Sequence, residues 1–136
     1  MSEENLDLVR RAYEVFDNDL VGFLELCDPD VRFINPDDAI EPGVRRGYDG
    51  VRKWFATLHE SYDWRGHPPV RMVALDNRVV VEQPATMVGR GTGLSVETSF
   101  GHLWTLRHGK VVSWQWFRQP DQAFRAAGLD PDATDV

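Results

Sequence analysis

Residues 101–117, GHLWTLRHGKVVSWQWF, decide how this chain folds. They read as one β-hairpin turning at His108 and Gly109, with Phe100 just ahead of it. If Arg107 faces Lys110, paired positions share a face. One face then carries Gly101, Leu103 and Thr105 opposite Trp116, Trp114 and Val112. The other carries Phe100, His102, Trp104 and Leu106 opposite Phe117, Gln115, Ser113 and Val111. A sheet with one wet face alternates apolar and polar residues, and this hairpin does so on neither face. Both faces are therefore expected to be covered. Helices supply one cover, and a second copy of the chain, in a homodimer through the sheet, is the economical supply of the other.

Working outward, QPDQAFRAAGL supplies a short last helix stopped by Gly128. Upstream, VRMVAL and RVVVEQPATMV flank the turn-prone pair Asp76 and Asn77. That hairpin sets Arg71 across from Glu82. Earlier still, Leu6, Val9, Tyr13 and Phe16 recur at helical spacing behind an acidic first turn. Leu20 to Cys27 gives a second helix, and Val51, Trp54, Phe55, Leu58 and Tyr62 mark the face of a third. Between them lie the strand VRFIN and a proline-bearing loop. The sum is an α+β chain, its helices gathered on one face of a mainly antiparallel sheet. One domain over residues 1–129 is expected, with 130–136 as a frayed acidic tail.

Composition narrows the function. With 136 residues the chain builds one core, and a net charge of −7 without a basic stripe argues against nucleic acid or an anionic membrane as partner. No apolar run reaches membrane or signal length, so a cytoplasmic protein is expected. Cys27 is the one cysteine and sits in an apolar helical pattern, as a buried structural thiol would. His59, His67, His102 and His108 lack metal-ligand spacing, so neither a metal nor another cofactor is expected. GRGTG has phosphate-loop glycines but opens no helix.

LDLVRRAYEVF, LELCDPDVRFINP, RGYDGVRKWF, GRGTG, the hairpin itself and AFRAAGL together resemble a SnoaL-like domain of the nuclear transport factor 2-like superfamily. That group includes ketosteroid isomerases, limonene epoxide hydrolases and polyketide cyclases. The resemblance implies a conical α+β fold: three N-terminal helices on a strongly curved sheet, a deep cavity between them, and frequent dimerisation through the sheet. It also implies that Tyr13 matches the tyrosine with which ketosteroid isomerases bind an oxyanion. Their general base falls here on Asn35, and their second donor near Gly101 or Leu103. An amide cannot take a proton at neutral pH, and neither glycine nor leucine donates from a side chain. Steroid-type isomerisation by that machinery is not expected.

The cavity is expected to be lined by Trp114, Trp116, Leu103, Tyr13, Trp54 and Phe55, and to bind a small, largely apolar molecule. Tyr13 is the candidate donor, with Asn35 as a second polar group. His102 reads as a general base near neutral pH or as an interface histidine satisfied by Gln115. Glu82 reads as a buried acid or base, or as the ion-pair partner of Arg71. Asp38 stands in the loop after the first strand as a replacement base or a solvated turn, and Arg118 as a carboxylate contact or a surface arginine. The chemistry these residues suit is cofactor-independent proton transfer: isomerisation, cyclisation, dehydration or epoxide opening. The alternative is a noncatalytic binding or interaction module whose pocket is closed by its own tryptophans.

Overall fold

A computed structural model of the chain describes residues 2–37, 39 and 42–133. Two helices lead, α1 (Ser2–Phe16) and α2 (Leu20–Glu25), the second opened by Asp19, whose Oδ1 accepts from the Gly22 amide at 2.9 Å. Then come β1 (Cys27–Asn35), β2 (Gly43–Arg46), α3 (Gly47–Ser61) and β3 (Tyr62–Gly66). The remainder is β4 (Arg71–Leu75), β5 (Arg78–Gly89), β6 (Ser95–Arg107), β7 (Lys110–Phe117) and α4 (Pro120–Ala126). The sheet order is β2-β1-β7-β6-β5-β3, with β4 also paired to β5. Only β1 and β7 run parallel. Two of these strands are not legible in the sequence: β2 lies in the proline-bearing loop, and β3 begins at Tyr62, whose spacing continues the helical pattern of Leu58.

The sheet curls around the apolar faces of α1 and α3. Leu6, Val9, Ala12 and Phe16 of α1 and Val51 of α3 are buried against Phe33, Val79, Val81, Trp104 and Trp114. Cys27 is buried among them, its Sγ 3.5 Å from the Phe23 carbonyl, and burial pushes its thiol up to about 12. The thiol is unreactive at neutral pH.

One inserted residue changes the reading of the hairpin. Arg107 does face Lys110 and Leu106 faces Val111, but Thr105 then faces Ser113, leaving Val112 as a bulge. Beyond it every pair moves by one: Trp104 opposite Trp114, His102 opposite Trp116, Leu103 opposite Gln115. Since alternate residues share a face, the shift gathers Phe100, His102, Trp104, Trp114 and Trp116 on the helix-covered side. His102 thus sits with the tryptophans and is not paired with Gln115.

Nor do all helices lie on one side. Helix α4 crosses to the outer face, where Ala123, Phe124 and Ala127 pack with Val73, Val80, Leu103 and Phe117. Leu103 and Phe117 therefore find their cover within the same chain, and the hairpin gives no ground for a partner where α4 lies. Gly101 permits the approach. A Cβ there would stand 2.6 Å from the Ala123 Cβ and 3.0 Å from both the Gln119 carbonyl oxygen and the Pro120 Cα.

The Asp76–Asn77 turn sets Arg71 opposite Glu82, as its spacing implies. Their side chains form an ion pair at 3.1 Å on the α4 side of the sheet. The Arg71 guanidinium also lies 3.8 Å over the Phe124 ring and donates to the carbonyls of Pro131 and Ala133. These bonds hold residues 130–133 against the domain.

Candidate functional site

Between α1, α3 and the inner face of the sheet lies a cavity of about 200 Å³. Aromatic rings make most of its wall. Trp114 lies flat on Trp104, with ring centres 4.6 Å apart and planes within 9°. Trp54 tilts against Phe33 at 4.4 Å. The tryptophans line the space and leave it open.

A chain of hydrogen bonds crosses this wall. The Trp104 Nε1–H group donates to the Tyr13 hydroxyl at 2.9 Å, and that hydroxyl is hydrogen-bonded to His102 Nδ1. An indole N–H only donates, so the phenol accepts it, while its bond to Nδ1 is donated by the phenol when the imidazole proton sits on Nε2 and by Nδ1–H when it does not. Burial pushes His102 down to about 3 and Tyr13 well above its ordinary value. At neutral pH both rings are uncharged. His102 lines the cavity, and Nε2 is the nitrogen that Tyr13 does not engage.

Two further indoles are tethered in the same way. Trp116 Nε1 donates to Asn35 Oδ1 at 2.7 Å, and Trp64 Nε1 to Asp17 Oδ1 at 2.9 Å. Asn35 is 5% exposed, so its carbonyl serves the wall. Arg118 lines the opening with its guanidinium 5.7 Å over the Trp116 ring.

The residues singled out in the sequence separate into two sets. Tyr13, His102, Asn35, Trp54, Trp114, Trp116 and Arg118 all reach the cavity. Phe55 packs behind the wall on Phe16 and His59, with ring centres at 5.4 and 4.2 Å. Leu103 lies on the outer face because of the bulge at Val112. Glu82 is on that side too, held by Arg71. Asp38 lies outside the described residues. Sequence reasoning missed Asp17, Trp64, Gln83 and Trp104, which all line the cavity. For Asp17 a signal existed: it stands four residues after Tyr13, on the same face of α1 extended by a turn. Among the described residues no group of three or more histidine, cysteine, aspartate or glutamate side chains is placed to hold a metal ion. No helix among them is long and apolar enough to cross a membrane.

The model of the SnoaL-like domain matches residues 9–114. The chain belongs to the SnoaL-like family. No curated protein sequence matches this SnoaL-like protein, but solved structures do. An NTF2-like protein of unknown function from Burkholderia pseudomallei is 26% identical, with a TM-score of 0.77 over 90% of this chain and 95% of that one. TerC, crystallised with polyporic acid, is 24% identical with a TM-score of 0.77, covering 90% and 96%. A protein of ketosteroid isomerase-like fold from Catenulispora acidiphila, in complex with trimethylamine, is 15% identical with a TM-score of 0.69, covering 93% and 95%. These likenesses agree with the α+β cone seen here.

For this SnoaL-like protein the placement of Glu82 has a direct test. Glu82→Ala is expected to leave ligand binding unchanged while costing about 1–2 kcal/mol in urea unfolding, since Arg71 loses its partner in a site only 19% exposed. A loss of binding at wild-type stability would return Glu82 to the site.

Proposed function

We propose that this protein binds a small, flat, largely apolar molecule carrying an oxygen function, and that His102 Nε2–H anchors that oxygen. The observation that carries the reading is the Trp104–Tyr13–His102 hydrogen-bond chain. It holds the imidazole's orientation, and with the Tyr13 proton given to Nδ1 it leaves Nε2–H as a donor in place before a ligand arrives. A cavity of about 200 Å³ suits one or two fused rings, given that roughly 150 Å³ accommodates benzene. Tryptophan faces complement a flat ring system. That TerC was crystallised with polyporic acid supports a small organic occupant.

The chemistry this arrangement favours is cofactor-independent enolisation, the first half of an isomerisation, cyclisation or dehydration. As a carbonyl oxygen gains negative charge, a neutral donor hydrogen-bonds to it more strongly and gives up no proton at rest. His102 suits that donor role better than a base role, because an imidazole pushed down to about 3 holds a captured proton poorly at neutral pH. Tyr13 supports it from behind and does not itself meet the ligand oxygen.

Calorimetric titration with 2-naphthol and with naphthalene tests the anchor, because the two differ only in the oxygen. Wild type is expected to prefer 2-naphthol by about tenfold, equivalent to about 1.4 kcal/mol. His102→Phe keeps a ring but loses Nε2–H, and should abolish the preference. Equal affinity of the wild type for both probes would refute the reading.

A further inference from the structure

Resting on that reading, we infer that Asp17 is the base of the same site, taking a carbon-bound proton from a ketone whose oxygen His102 holds. Asp17 is the one carboxylate that lines the cavity among the described residues. It follows Tyr13 by four positions, a spacing that brings Cβ atoms within about 6 Å on one helix face. The hydroxyl that fixes the donor and the carboxylate that would accept therefore share one edge of the cavity.

The carboxylate is also aimed. Oδ1 accepts from Trp64 Nε1 at 2.9 Å and Oδ2 from the Gly66 amide at 3.3 Å. Each oxygen retains a further lone pair. Gly66 makes room for this arrangement: a Cβ there would stand 3.0 Å from Asp17 Oδ2 and 2.8 Å from Gln83 Nε2. Asp17 stands at the mouth, open to water on one side. The cavity wall raises its carboxyl from the ordinary value, opposed by the Trp64 and Gly66 donors and by His59. A shift in that direction makes a carboxylate a better match to a weakly acidic C–H group.

The step balances without an added reagent. An Asp17 oxygen forms an O–H bond as the ligand's C–H bond breaks. The released pair becomes the enolate double bond, and the carbonyl pair moves onto the oxygen held by His102 Nε2–H. Return of the proton to the same carbon gives hydrogen exchange, and return to a conjugated carbon gives isomerisation. The substrate class is thus a flat cyclic ketone with a C–H bond next to the carbonyl.

The probe is 2-tetralone in heavy water, followed by proton nuclear magnetic resonance at the carbon between ring and carbonyl. Wild type is expected to accelerate deuterium uptake over buffer. Asp17→Asn, which keeps an acceptor for Trp64, should lower the protein-dependent rate at least a hundredfold. Its affinity for 2-naphthol should change by less than about threefold, which also shows that the variant is folded. Two results overturn the inference: wild type no faster than buffer, or Asp17→Asn as fast as wild type. If either occurs while 2-naphthol is still preferred to naphthalene, Asp17 fails and the His102 anchor stands. If the preference is absent, the anchor itself fails.

Discussion

Gly101→Ala is expected to lower the unfolding free energy by about 3 kcal/mol, the upper part of the range for forcing one methyl into a packed site. The new Cβ would meet Ala123 Cβ at 2.6 Å, and Gln119 O and Pro120 Cα at 3.0 Å. Two of those three atoms are backbone, and the third is the first atom of a side chain, so no rotamer change relieves the contact. Either β6 distorts, which disturbs His102 next to it, or α4 lifts and exposes Phe124, Leu103 and Phe117. Urea titration with an unchanged slope and a lower midpoint would report the first, and a reduced slope the second. Ala123→Gly in the same chain removes the shortest contact and should restore part of the loss. A Gly101→Ala variant within 0.5 kcal/mol of wild type would show that α4 is not seated as described.

The second large effect is on acid stability. Burial holds His102 at about 3 in the folded chain against an ordinary 6.5. Between those values the unfolded chain binds more protons, so stability rises with pH across that window. The contribution is whole above pH 6.5 and drains away as the pH falls toward 3. By pH 4 roughly 3 kcal/mol should be gone. His102→Gln does not titrate, and its amide oxygen can still accept the Tyr13 proton. The difference in unfolding free energy between pH 7 and pH 4 should therefore be larger in wild type by that amount. Asp17, whose folded value is raised, acts with the opposite sign, but it is present in both chains and cancels. Parallel pH profiles for the two proteins would mean that His102 is not held neutral by burial.

Much of the fold was legible in the letters. The helix faces of α1 and α3, the Asp76–Asn77 turn and the Arg71–Glu82 pairing follow from periodicities of 3.6 and 2 and from one tight turn. The site was half legible. The sequence points to Tyr13, Trp54, Trp114 and Trp116 at the cavity and not to Trp64 or Trp104, and an uninterrupted two-residue hairpin sets His102 and Trp104 on the face opposite Trp114 and Trp116. The failure of alternation on both faces was itself the clue. Inserting one residue at Val112 leaves Leu103, Thr105, Ser113 and Gln115 outside and every hairpin indole inside, a pattern of the ordinary kind. Asp17 escaped because, followed by Asn18 and Asp19, it read as a helix break. Its spacing of four from Tyr13 pointed toward the cavity, but the break reading hid it, and Trp64 and Gly66 arriving from β3 are what hold it there.

Three of the cavity's indoles are each pinned by their one N–H to a polar atom on another element: Trp104 to Tyr13, Trp116 to Asn35, Trp64 to Asp17. For anyone reshaping this cavity, the unit of change is the pin and not the residue. Removing one member strands its partner's polar group at a cost of about 1–3 kcal/mol where that group is buried. A mutant library that varies single positions would meet that penalty at nearly every step and judge the mould immovable. Varying both ends of a pin together removes the penalty between them, and for Trp104 and Tyr13 the unit also takes in His102, whose Nδ1 shares the hydroxyl; these linked sets are the vocabulary from which new cavity shapes can be written.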